Sequence, residues 1–155
     1  MGNGYQCIAD RQRKPMTVNL LVTDHWVGRL NDLQYNDSAN WDTIEAAIRR
    51  LDGRQYTEAS IEKIEEESDA NEGEVCLSVG GGPQRFLVIF RAQDGSEFLS
   101  AQGEPAAGTI ELVIGGQSAD FPTNVTVDLE SALELARHFA DQSEPIVPSG
   151  WEKHS

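Results

Sequence analysis

The chain has 155 residues, 39% of them hydrophobic and 25% charged, the size and balance of one ordinary domain that can bury a single core, which disfavours wholesale disorder. Its 26 acidic residues outnumber 12 basic ones, for a formal net charge of −14 and a pI near 4.4. Such a surface repels phosphate backbones and anionic lipid, so nucleic acid and membrane are disfavoured as direct partners and a protein with a basic surface is favoured, although acid can also serve solubility alone.

Residues 1–15, MGNGYQCIADRQRKP, read as a flexible polar tail: Arg11, Arg13 and Lys14 are present but no apolar segment follows them, so no secretory signal is expected. No window approaches the roughly 18 apolar residues of a membrane span. Two cysteines, Cys7 and Cys76, are too few for a secreted disulfide framework, and Cys76 sits in an apolar run as a small buried hydrophobe. A reducing, cytoplasmic setting is the expectation, with one domain over residues 16–155.

Met16 opens MTVNLLV, which alternates as a strand. LNDLQYNDSAN (30–40) reads as a loop, because Asn, Asp and Ser side chains compete for local backbone groups, and Asn40 or Asp42 is placed to cap a helix. From Trp41 to Leu51 the apolar residues Trp41, Ile44, Ile48 and Leu51 fall at helical spacing, with Arg49 and Arg50 at the end and Gly53 beyond. In RQYTEASIEKIEEES (54–68), Ile61 and Ile64 suit a helix whereas Tyr56 and Thr57 suit a strand; a strand leading into an acidic loop is the reading adopted.

EVCLSVGGG (74–82) and RFLVIFR (85–91) form an expected antiparallel pair, and Asp94-Gly95 turns the second run into SEFLSA. TIELVIGGQ (109–117) reads as a further strand, the set together making a meander. Asp128 caps a last helix whose Leu129, Ala132, Leu133, Ala136, Phe139 and Ala140 share one face, and DQSEPIVPSG ends it before Trp151. The order argues an α+β fold: a largely antiparallel sheet of about five or six strands with two main helices and no internal repeat.

Motifs for chemistry are scarce. Gly80-Gly81-Gly82 lacks a phosphate-loop pattern and leads into a strand rather than a helix, so it reads, like Gly115-Gly116, as a tight turn. His25, His138 and His154 lie far apart, no calcium loop is matched, and no metal or other cofactor is expected. No nucleophile elbow is present and His138 falls within the last helix, a structural or surface position, so no catalytic residue is assigned and the chain is not expected to be an enzyme.

Acid is densest between Glu58 and Glu74, where Glu58, Glu62, Glu65, Glu66, Glu67, Asp69, Glu72 and Glu74 face Lys63 alone and carry half of the net charge. The stretch is either a solvated loop or a docking surface that speeds association with a basic protein. Trp26 and Trp151 are candidate contact residues as well, with core packing as the alternative, while Trp41 anchors the first helix in the core.

The order of motifs resembles the bacterial polymorphic-toxin immunity proteins of the Imm class, first family. It rests on an early strand, the helix WDTIEAAIRRLDG, the strand ends VGGG and VIGGQ, and LESALELARHFADQSEPIVPSGW closing on Trp151, over about Thr17 to Glu152. The resemblance implies an α+β protein that binds a cognate bacterial toxin, often of the nucleic-acid deaminase fold, whose substrate channel is basic. The free protein is then expected to be a monomer, with Glu58, Glu62, Glu65, Glu66, Glu67, Asp69, Glu72, Glu74, Trp26 and Trp151 as candidate toxin-binding residues. A small acidic α+β chain also fits a secretion chaperone for an effector protein, which is expected to dimerise.

Overall fold

The computed structural model describes residues 20–63, 75–92, 94–100, 107–142 and 152–154. The sequence-predicted tail, Glu65, Glu66, Glu67, Asp69, Glu72, Glu74 and Trp151 lie outside the described residues.

The first strands are β1 (Leu20–Thr23), β2 (Trp26–Val27), β3 (Leu30–Asn31) and β4 (Gln34–Asn36), followed by helix α1 (Trp41–Arg49). Next come β5 (Glu58–Glu62), β6 (Cys76–Gly81), β7 (Phe86–Arg91), β8 (Glu97–Leu99), β9 (Thr109–Ile114) and β10 (Gln117–Pro122). A 3₁₀ turn (Thr123–Val125), β11 (Thr126–Val127), helix α2 (Leu129–Gln142) and β12 (Glu152–His154) complete the order. The fold is α+β, and its main sheet is antiparallel in the order β12-β8-β7-β6-β5-β1-β4, with β11 also pairing β7.

Both helices begin where side chains satisfy free backbone donors. Asn40 Oδ1 accepts from Thr43 N–H at 2.9 Å while Asn40 N–H donates to Thr43 Oγ1 at 3.0 Å, a reciprocal cap. Asp128 Oδ1 accepts from Ser131 N–H at 2.9 Å at the start of α2. The helices cover one side of the sheet: Ile44, Ile48, Ala132, Ala136 and Phe139 meet Ile61, Leu77, Val79, Val88 and Phe90 in the main core.

Two expectations are corrected. The segment 30–40 is not all loop, since it carries β3 and β4, and β4 pairs β1 through Val22↔Tyr35 as an end strand of the main sheet. The run 109–117 does not extend the meander: β9 folds back onto β10 as a separate two-stranded sheet, Gly115 and Gly116 forming the turn with φ of 62° and 79°. Three short strands, β4, β11 and β12, account for the sheet being wider than the sequence suggested.

Strand partners share a face, so register sorts the sheet into two sides. On the side opposite the helices, Leu87, Ile89 and Leu99 form a second, smaller core with Ile110, Leu112, Ile114, Phe121 and Val125 from the β9–β10 hairpin and the turn after it. Close approach of that hairpin requires Gly80, where an added Cβ would lie 2.6 Å from Ile114. Gly82 is pressed against the end of α1 in the same way, an added Cβ falling 2.4 Å from the Leu51 carbonyl oxygen. The glycine run is thus occupied by packing on both sides, consistent with a turn rather than a phosphate cradle.

Candidate functional site

The β9–β10 hairpin covers only part of the non-helical side. Among the described residues no further element packs extensively on β1, β4 and β5 from there. Register places Glu58, Ser60 and Glu62 of β5 on this side, next to Leu20 and Val22 of β1 and, beyond them, Tyr35 of β4.

The alternation of β5 is what concentrates acid here. Ala59, Ile61 and Lys63 point to the helices, whereas Glu58, Ser60 and Glu62 are half-buried on the other side. Lys63, the sole base of the acidic stretch, is buried; its ammonium donates to the Ala140 carbonyl at 3.1 Å and lies 5.2 Å from the centre of the Phe139 ring. Burial brings its pKa down to about 8, against the opposing pull of Asp141. Strand alternation therefore turns Lys63 to the helix side, opposite to Glu58 and Glu62. Burial, together with the charge of Asp24, holds the Glu58 carboxyl above its ordinary range.

Trp26 comes to the same place through a buried carboxylate that the sequence reading missed. Asp24, 3% exposed, accepts from Thr57 N–H at 2.7 Å and Glu58 N–H at 3.0 Å through Oδ1. Its Oδ2 accepts from the Thr57 hydroxyl and, at 2.8 Å, from the Trp26 indole N–H. The Thr57 hydroxyl in turn accepts from Gly116 N–H at 3.1 Å. One carboxylate thus ties β1, the start of β5 and, through Thr57, the hairpin tip into one knot, and the charge-assisted bonds make it rigid.

The Trp26 indole lies over Gly116, where an added Cβ would stand 2.2 Å from the ring, and Glu58 approaches Gly115. Of the sequence-predicted candidates, Trp26, Glu58 and Glu62 are accordingly brought to one region, two of them flanking the glycine turn. Asp24 was legible only as a lone acid after a strand; its partners are more than thirty positions away.

Cys76, on the same side of the sheet, is a free buried thiol, pushed up in pKa by burial. His138 is half-buried on α2. Among the described residues no three His, Cys, Asp or Glu side chains are grouped to hold a metal ion, and no helix is long and apolar enough to cross a membrane. What the geometry offers is a half-open sheet side, acidic along β5, framed by an aromatic residue and a fixed hairpin.

The comparisons agree with a binding module. The family model of the immunity protein Imm1 matches residues 37–145, from just before α1 to just past α2. The chain belongs to this family of immunity proteins. Neither a search of curated proteins nor one of solved structures returns a match.

Proposed function

We propose that this chain neutralises one cognate toxin whose substrate channel is basic, in the first instance a toxin of the nucleic-acid deaminase fold. The acidic side of β5 and the stretch that continues it, through Glu65, Glu66, Glu67, Asp69, Glu72 and Glu74, dock against the channel and keep nucleic acid out. The chain acts stoichiometrically, without catalysis of its own, as a monomer in the cytoplasm of the producing cell.

The observation that carries this reading is the sorting along β5, with Glu58 and Glu62 turned outward and Lys63 buried under α2. An interface of ordinary size, about 800 Å² per partner, is within reach of a domain this large. Exposed ion pairs are individually worth only about 0–1 kcal/mol, so the acids govern encounter more than residence.

Replacing Glu65, Glu66 and Glu67 together by Gln tests this. Association with the toxin slows and loses salt dependence while dissociation stays nearly constant. Dissociation faster by more than about tenfold, or 1.4 kcal/mol, would instead make these acids buried contacts. No change in either rate would leave the stretch an ordinary solvated loop.

A further inference from the structure

Among the described residues four large hydrophobic side chains stand in water, and all four fall between positions 27 and 35: Val27 is 59% exposed, Leu30 76%, Leu33 46% and Tyr35 65%. Single exposed apolar residues are ordinary, but four within nine positions, two of them paired across β2 and β3, are the composition of an interaction site. The fold gains nothing from leaving them there.

The segment is held in shape before any partner arrives. β2 and β3 pair through Trp26↔Asn31 and Val27↔Leu30. Trp26 N–H donates to the Gln55 carbonyl at 2.8 Å, and Asp32 N–H donates to the His25 carbonyl at 2.8 Å. The His25 ring stacks on Tyr56 with centroids 5.0 Å apart, and the Arg50 guanidinium lies 4.4 Å from the Tyr56 centroid. The indole bond to Asp24 completes the anchor. An apolar surface ordered in advance loses little conformational freedom on binding.

Its surroundings select the occupant. Between positions 27 and 42, Asp32, Asp37 and Asp42 are exposed against Arg29 alone. β4 is an end strand of the main sheet, and between it and α1 runs a groove of about 310 Å³ bounded by Gln34, Tyr35 and Asn36 on one side and Thr43, Ala46, Ala47 and Arg50 on the other, the Arg50 guanidinium being engaged by Tyr56 and Thr23. A second copy of a chain carrying −14 is repelled, whereas a protein with an apolar feature ringed by Lys and Arg is attracted. Val27 to Tyr35 also precede the segment matched by the family model, which begins at residue 37.

We propose that the arm from Val27 to Tyr35, with the adjoining groove, is the seat of the toxin on this chain. The partner presents an apolar projection with a basic rim. This rests on the immunity reading above and assigns the contact that holds the complex to the arm, leaving encounter to the acids of β5 and beyond.

The probe is the cognate toxin domain that the immunity reading requires, made inactive and immobilised. Leu30→Asp/Leu33→Asp removes apolar contact and adds two carboxylates, which do not slow encounter with a basic partner. The double variant keeps the wild-type thermal midpoint, associates within about threefold of wild type, dissociates at least about tenfold faster and no longer protects cells producing the active toxin. Tyr35→Ala shows a smaller change of the same kind. Wild-type dissociation rates for both variants would overturn the assignment while leaving the immunity reading intact. A wild-type chain that neither binds nor protects would defeat the immunity reading and the assignment with it. Should the double variant lose its midpoint, hydrogen exchange in the wild-type complex decides: slowed exchange at residues 27–36 supports the arm, and unchanged exchange contradicts it. A wild-type dimer dissolved by the double variant would place a second copy on the arm and likewise overturn the proposal.

Discussion

The two sides of the main sheet are built from the same strands and have opposite characters. Toward the helices, Ile61, Leu77, Val79, Val88 and Phe90 are closed over by α1 and α2. On the other side Leu87, Ile89 and Leu99 are covered by one hairpin, and β5 shows Glu58 and Glu62. A period-two strand makes this division at no extra length, because neighbouring residues face opposite ways. One side is closed by the helices, apart from the groove between α1 and β4, and the other is left half open.

The strongest expected effect is at the carboxylate that fastens the recognition side to the rest. Asp24→Ala leaves Thr57 N–H, Glu58 N–H and the Trp26 indole without their acceptor, and orphaned buried donors cost about 1–3 kcal/mol each without adding fully, for a loss of about 3 kcal/mol or more. Asp24→Asn, which retains an acceptor at Oδ1, loses less. Urea midpoints measure both. A loss below about 1 kcal/mol in the alanine variant would show that the knot does not carry the arm.

Gly116→Ala acts where the hairpin tip meets Trp26. The residue has φ of 79° and faces the Trp26 indole, so backbone strain and overpacking together cost roughly 2–3 kcal/mol. Gly95→Ala, with φ of 88° but nothing within 4 Å, is the matched case carrying strain only. Thermal midpoints and tryptophan fluorescence separate the two: the Gly116 variant shifts both, the Gly95 variant only the midpoint. Equal losses in the two variants would mean that the indole does not press on the turn.

The helix side gives a pH signature. Lys63 has a folded pKa of about 8, lowered by burial from an ordinary 10.5. Below pH 8 both states hold the proton and the burial penalty is complete. As pH rises from 8 toward 10.5 the folded state releases its proton first, the unfolded state binds more protons, and stability increases. Relative to Lys63→Met, the wild type gains on the order of 1–2 kcal/mol between pH 7.5 and 9.5. Parallel pH profiles for the two proteins would place the ammonium in water.

These expectations differ in how far the chain alone announced them. Both helices were legible, because Ile44 and Ile48, then Ala132, Ala136 and Phe139, repeat at helical spacing and Asn40 and Asp128 sit where caps belong. The β5 strand was legible from Tyr56, Thr57 and the alternation that follows. β4 and β10 were not: QYN is short and polar, and QSADFP contains Asp and Pro and is mostly exposed.

The candidate site was half legible. Glu58, Glu62 and Trp26 could be singled out by charge and size, but their meeting around Gly115 and Gly116 depends on the position of a hairpin some sixty residues away. Leu30 and Tyr35 drew no notice, since nothing local distinguishes an apolar residue that stays in water from one that enters a core. For Tyr35 the place of β4 at the sheet edge does so, and for Leu30 the separate β2–β3 pair.

The division into a stabilising side and a recognising side is tested most directly by charge reversal on each, read as binding rates to the inactivated toxin. Glu62→Lys lies on the side turned away from the helices, and Glu134→Lys on the exposed surface of α2. Glu62→Lys is predicted to slow association by about tenfold at low salt, with the difference fading as salt rises, while Glu134→Lys stays within about twofold of wild type. The reverse pattern, with Glu134→Lys slow and Glu62→Lys unaffected, would put the toxin on α2 and contradict the proposed assignment of the acidic sheet side to recognition.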